Sequence, residues 1–200
     1  DKKIGKFGIG FKSVLKYSSS PEIYDDKFWF KLDFIVPTLL EHDNEYRQHG
    51  ETLFKLPFIQ GKEQEFYDVV RDRLSNLDNP LLFLKHLSCI KWTCYNDEGG
   101  IIDTNSYSKE IIEEQAYSGC LFQRIIVNNS GNEKSLLFFT QDIVIGERVF
   151  DINVGYYIDK ETNKLNFEDS GSLYCYFPTK ENLRTCFISH GPFQLTDSRE

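Results

Sequence analysis

Gly5, Gly8 and Gly10 follow a G-x-x-G-x-G spacing and run directly into the apolar, helix-compatible stretch Phe11-Lys12-Ser13-Val14-Leu15. Closely spaced glycines permit positive φ and close backbone approach, so successive N–H groups converge on an anion, and a helix that follows adds its positive end. The chemistry suggested is phosphate binding. On spacing alone, a plain tight turn explains the three glycines more simply. The order is not the dinucleotide fingerprint, and the G-x-x-x-x-G-K-[ST] spacing of a Walker A loop is absent. Lys12 adjoins the loop, where it reads either as a point charge on phosphate or as a solvated helix lysine.

Other chemically able residues form weaker patterns. His42, His49, His86 and His190 show no H-E-x-x-H or zinc-finger spacing, so no metal site is expected. Cys186 and His190 have the types of a nucleophile and its base, but Cys186 lies in an alternating run with Phe187 and Ile188 and reads as core packing. Cys89 and Cys94 fall on opposite faces of a strand, which argues against a mutual disulfide. Phe28, Trp29, Phe30 and Phe34 lack interleaved basic residues beyond Lys27 and Lys31, so they read as a hydrophobic strand rather than a base-stacking surface.

The elements that must position these residues are legible in outline. Aromatic and β-branched runs at 21–24 and 28–36, with Asp25-Asp26-Lys27 between them, predict a hairpin; residues 41–49 predict a loop and 52–56 a further strand. Phe66, Val69, Val70, Leu74 and Leu77 recur at three- and four-residue steps, predicting a helix over 62–77 that Asp78-Asn79-Pro80 ends. Residues 81–87 fit either a buried helical turn or a strand. Strands are expected at 88–95, 120–128, 135–145, 149–158, 173–177 and 186–189, and a short helix at 109–116. The composition, 40% apolar and 27% charged, is that of a chain with a real core. The net charge of −8 disfavours a protein that holds duplex nucleic acid by neutralising phosphates. Five cysteines without a C-x-x-C pair fit a reducing, cytoplasmic setting, and no apolar run approaches membrane-spanning length.

The wording around the glycines adds a resemblance. Ile4-Gly5-Lys6-Phe7-Gly8-Ile9-Gly10-Phe11-Lys12-Ser13-Val14 closely resembles the phosphate-loop motif of the GHKL ATPases, the superfamily of gyrase, the ninety-kilodalton heat-shock chaperones, histidine kinases and MutL. More narrowly, it looks like the loop of sacsin-type bacterial ATP-binding proteins. Lys6 stands where the chaperones usually carry glutamine. The resemblance implies that the amides of Gly8, Ile9, Gly10 and Phe11 hold the phosphates of ATP, with Gly5 and Lys12 in the same site. Gly50-Glu51-Thr52-Leu53-Phe54 is similar to the family's Gly-Thr strand motif, which implies a Thr52 hydroxyl in the adenine pocket; an ordinary strand residue is the alternative. Gly191 to Glu200 resembles the catalytic loop of the chaperones' middle domain, and Leu173 to Lys180 the strand and turn before it. By that likeness Arg199 reaches the γ-phosphate, where a guanidinium from a second domain stabilises transferring charge. A solvated side chain is the plainer reading of Arg199.

The fold implied is α+β: residues 1–60 as the C-terminal portion of a GHKL-type α/β sandwich, and 61–200 as a connecting helix and a transducer-like mixed α/β domain. The family's general-base glutamate, its Mg²⁺-holding asparagine and its Asp-Gly adenine segment all precede the glycine loop. Only Asp1 to Ile4 precede it here, so the chain reads as an excised segment of a chaperone-like ATPase, itself inactive, with its Mg²⁺ ligands upstream. The partners implied are nucleotide and a protein client or other domains of the parent protein, and related machines often form homodimers. The alternative is a non-enzymatic module, either a degenerate nucleotide binder or a scaffold.

Overall fold

The computed structural model describes residues 12–33, 36–167 and 171–193, and the chain divides into two units between Arg73 and Leu74.

In the first unit, Lys12 leads into a single 3-10 turn, Ser13–Lys16. Strands β1 (Glu22–Tyr24), β2 (Trp29–Asp33), β3 (Val36–Leu39) and β4 (Leu53–Lys55) form an antiparallel sheet in the order β3-β2-β1-β4. The expected hairpin is β1 on β2, with Ile23 opposite Phe30. The polar loop after β3 is held by Arg47, whose guanidinium donates to Asp26 (2.5 Å), Asp43 (2.5 Å) and the carbonyl of Gln48 (3.1 Å). Helix α1 (Glu63–Ser75) buries Phe66, which packs edge-on against Tyr17 at 5.2 Å and Phe58 at 6.2 Å. Glu63 and Glu65 in its first turn and Arg73 in its last complement the helix dipole.

The second unit is built on β5 (Cys89–Tyr95), β6 (Ile101–Tyr117), β7 (Cys120–Asn129), β8 (Asn132–Ile145), β9 (Arg148–Ile158), β10 (Gly171–Cys175), β11 (Phe177–Leu183) and β12 (Ile188–His190). They form one sheet, ordered β11-β10-β12-β9-β8-β7-β6-β5. From β5 to β9 it is an antiparallel meander, and β10 and β12 are parallel. The meander's turns follow from sequence. Ser118-Gly119 and Ser130-Gly131 each take positive φ at both residues (50° and 84°, 46° and 91°), the two-residue turn whose twist matches that of the strands it joins.

The α+β expectation is corrected: the described residues are mostly strand, with α1 their one regular α-helix, and neither a GHKL-type α/β sandwich nor a mixed α/β transducer domain is formed. The largest single reversal is at 109–116, read as a short helix. Lys109-Glu110-Ile111-Ile112-Glu113-Glu114-Gln115-Ala116 is rich in helix formers, yet it lies inside the 17-residue strand β6. There Ile111 pairs with Ile125 and Ala116 with Leu121, and a register shift at Ile111–Glu113 absorbs the doubled isoleucine. Cross-strand pairing outweighs a local propensity worth only tenths of a kcal/mol per residue.

Alternation sorts the sheet's two faces. Ile125, Val127, Leu136, Phe138, Tyr157, Tyr174 and Ile188 are buried on one face, while Phe139 and Ile145, of opposite phase on β8, stay exposed. The apolar run Leu81-Leu82-Phe83-Leu84, an irregular turn rather than helix or strand, covers the buried face and is itself buried throughout. Leu82 and Phe83 join the main core cluster, and Leu81 and Leu84 pack with Tyr107. No helix among the described residues is long and apolar enough to cross a membrane.

Candidate functional site

The register of the second sheet lays one row of side chains across five strands. Leu121 on β7 pairs with Thr140 on β8, Thr140 with Asn153 on β9, Asn153 with His190 on β12, and His190 with Tyr174 on β10. The polar members are linked along the row. Thr140 Oγ1 donates to Asn153 Oδ1 at 2.5 Å, and Asn153 Nδ2 lies 3.0 Å from His190 Nδ1. An amide NH₂ can only donate, so His190 Nδ1 accepts and the ring's proton sits on Nε2. His190 is 4% exposed, and its Nε2 has no hydrogen-bond partner among the described residues.

Aromatic rings fix the imidazole. Phe83 stacks on it at 4.3 Å with 15° between planes, and Tyr176 meets it edge-on at 5.1 Å. Phe83 is held in turn by edge contacts with Phe138 and Tyr174. Burial lowers the imidazole pKa to about 4, with Asp151 opposing and Lys85 adding to that effect. His190 is therefore a neutral donor near pH 7.

Beside this row lies a cavity of about 700 Å³, lined by His190, Asn153, Thr140 and Gln123 and by apolar groups that include Leu87, Leu121 and Ile125. Lys85 and Asp151, an ion pair, also line it. Lys109 lines it from β6 and donates to the carbonyls of Leu84 (2.6 Å) and Leu82 (3.4 Å). These two carbonyls belong to an irregular turn and lack ladder partners, so the lysine satisfies backbone that no strand reaches. Burial lowers the Lys109 pKa. No carboxylate lies within ion-pairing distance of its ammonium among the described residues.

The residues singled out from sequence are placed elsewhere. Gly5, Gly8, Ile9, Gly10, Phe11 and Arg199 lie outside the described residues. Lys12 is exposed, with φ −62° and ψ −26°, at the start of the 3-10 turn. Thr52 is exposed just before β4, and its hydroxyl donates to Asp25 Oδ2 at 3.0 Å. Among the described residues no group of three or more His, Cys, Asp or Glu side chains could hold a metal. No disulfide joins any of the five cysteines; Cys94 is buried and Cys89 exposed, as opposite strand faces require. Cys186 does not line the His190 cavity.

Sequence reading gave no role to Thr140 or Asn153, and weighed His190 only as a metal ligand or as a base for Cys186. The signal that finds them is polarity out of phase: Asn153 takes an inward position between Ile152 and Val154 in an otherwise apolar strand, and His190 is inward two residues after Ile188.

No family model matches the chain, and no solved structure matches it. Among curated proteins it is similar to "Protein NO VEIN" of Arabidopsis thaliana, with 28% identity over 232 aligned positions that cover 98% of this chain. The chain spans 8% of the length of that relative.

Proposed function

We propose that the chain is a segment of an ATP-binding, ATP-hydrolysing conformational machine of the GHKL, sacsin-like type, working in the cytoplasm on a protein client or on other domains of its parent. One observation carries this reading: the run Ile4-Gly5-Lys6-Phe7-Gly8-Ile9-Gly10-Phe11-Lys12-Ser13-Val14, whose glycines and following residues suit amides converging on phosphate. The reading rests on that loop and on the Ser198-Arg199-Glu200 terminus, and not on an α/β sandwich. Gly5, Gly8, Ile9, Gly10, Phe11 and Lys12 hold the phosphates, Thr52 serves the adenine end, and Arg199 answers charge on the γ-phosphate. By the same likeness, the Mg²⁺-holding asparagine and the general-base glutamate belong to motifs that stand before the glycine loop. The acidic balance argues against nucleic acid as partner.

The test is magnesium-ATP binding and turnover by the full-length parent protein. Gly8→Val or Gly10→Val should abolish binding by filling the space the phosphates need, and undiminished affinity overturns the assignment. Arg199→Ala should lower turnover more than affinity; equal turnover removes Arg199 from the mechanism.

A second reading, a non-enzymatic nucleotide-binding or scaffolding module, is favoured by the engagement of Thr52 with Asp25 rather than with an adenine pocket. Binding of magnesium-ATP without turnover in the native parent protein selects it.

A further inference from the structure

The second sheet carries apolar side chains on both faces. Leu82 and Phe83 lie over one of them, in the core cluster with Phe138, Tyr157 and Ile188. On the reverse face the register sets three rows across β7, β8 and β9. Phe122 stands beside Phe139 and Val154, Cys120 beside Gln141 and Ile152, and Ile143 beside Phe150. None of these side chains is buried; Phe139 is 45% exposed, and its ring meets that of Phe122 at 5.6 Å. Tyr117, opposite Cys120 and 78% exposed, extends the middle row onto β6. Among the described residues, cover reaches this face at one end, where Arg124 donates to Asn163 of the turn after β9 and Ser135 and Ile158 are buried.

Charge and extent select what can cover the rest. No Asp, Glu, Lys or Arg stands in the three rows, and the first charged side chains of that phase on β7 to β9 are Arg124 on one side and Arg148 on the other. Such a surface gives a charged partner nothing to pair with, and meeting a copy of itself it sets no like charges together. Residues 137–145 span about 27 Å and strands β6 to β9 about 19 Å, a footprint on the order of 500 Å². Side chains standing above the sheet bring the accessible area toward the roughly 800 Å² that each partner contributes to a stable dimer. A single helix about 10 Å across would leave half of that width in water. A second sheet of the same kind covers it all.

We propose that this reverse face is the contact between two copies of the chain, packed sheet on sheet about a two-fold axis with Phe139 of each copy at its centre. The contact belongs to the second unit and does not draw on the glycine loop.

The test is sedimentation velocity of the 200-residue chain between about 1 and 100 µM, the upper end lying above the micromolar limit of standard-size interfaces, with methyl NMR over the same dilution series. A dimer is expected at the upper concentration. As it forms, the Ile143, Ile152 and Val154 methyls should shift, while those of Val144 and Val149, paired on the opposite face of β8 and β9, stay in place. Phe139→Lys puts a charge on both sides of the two-fold and should weaken the dimer at least about tenfold. Val144→Lys, on the same strand at a position 73% exposed, should leave it unchanged, and melting temperatures report that both variants fold. Each copy carries a net charge of −8, so salt should strengthen the association by screening their repulsion. A monomer throughout the range overturns the proposal. If a soluble paramagnetic agent then fails to broaden the three methyls, another part of the same chain lies on the face; if it broadens them, the face is left to a different partner. A dimer that moves Val144 and Val149 instead, one equally weakened by Val144→Lys, or one loosened by salt overturns the proposal too. The dilution series needs no substitution, so it decides the matter even where Phe139→Lys fails to fold.

Discussion

Asn153 and His190 sit directly opposite one another on β9 and β12, and the asparagine amide donates to the imidazole Nδ1 at 3.0 Å. The tautomer of a buried histidine is thus set by an amide whose own oxygen is taken by Thr140. With the Thr140 hydroxyl donating to the asparagine oxygen, the amide NH₂ is left to face Nδ1.

Asn153→Asp tests this relationship directly. The carboxylate keeps an acceptor for Thr140 but places a charged acceptor beside Nδ1, which must then carry a proton. An opposite charge at hydrogen-bond distance favours the imidazolium. The His190 pKa should rise from about 4 by at least about 1 unit, read from a ¹³C or ¹⁵N titration of the ring. An unchanged pKa would show that Asn153 does not govern the imidazole.

His190 also makes stability depend on pH. Its folded pKa, about 4, lies below the ordinary 6.5, so between those values the unfolded chain binds a proton that the folded chain does not. Stability then rises with pH. The contribution is full above about pH 6.5, falls as the pH drops toward 4, and is lost below that. The difference of about 2.5 units corresponds to on the order of 3 kcal/mol. Urea melts of the native chain and of His190→Gln between pH 4 and 7 isolate the term, because carboxylate titrations are common to both. The variant should show a flatter profile by about that amount; parallel profiles would mean that the imidazole titrates normally.

What could be read from sequence divides along physical lines. The hairpin at β1 and β2, helix α1, β4 and most of the second sheet follow from periodicity and from Ser-Gly turns, signals carried by neighbouring residues. Strand β6 was not legible at 109–116, because glutamates, glutamine and alanine favour helix locally and only pairing with β7 makes them strand. Strands β3 and β11 escaped for a related reason: each contains a proline, Pro37 and Pro178, and each lies at a sheet edge, where a missing N–H is tolerated. The α+β expectation came from the resemblance of the glycine loop, which bears on chemistry rather than on the strands that follow. The His190 row was hidden because its members are 13 and 37 residues apart and meet only through register.

Gly155 shows how closely the core is fitted around this row. A Cβ at that position would lie 2.2 Å from the Phe138 ring, and Phe138, 1% exposed, is packed against Phe83. The ring has no room to swing aside. Gly155→Ala should therefore destabilise the second unit by about 2 kcal/mol, as overpacking does, measured by chemical denaturation. Phe138→Leu added to Gly155→Ala should recover part of that loss although each change alone is harmful, since the two sites share one volume. Strict additivity would mean that the clash is relieved elsewhere.

In the first unit the corresponding test is Arg47→Ala. Arg47 hydrogen-bonds Asp26 and Asp43 and holds both carboxyls below their ordinary pKa, with the guanidinium bonds as the leading cause. Asp26 in turn accepts from the Gly50 amide at 3.1 Å, so the arginine fixes the long loop before β4 through the turn of the hairpin. Its removal should let both aspartates titrate closer to the usual carboxylate range, visible by ¹³C NMR. It should also speed hydrogen exchange at the Gly50 amide while leaving amides in β5 to β9 unaffected. The pairing lies at the surface, so the effect belongs to loop order rather than to global stability. A slowed or unchanged Gly50 exchange rate would show that the loop is held by its backbone turns alone.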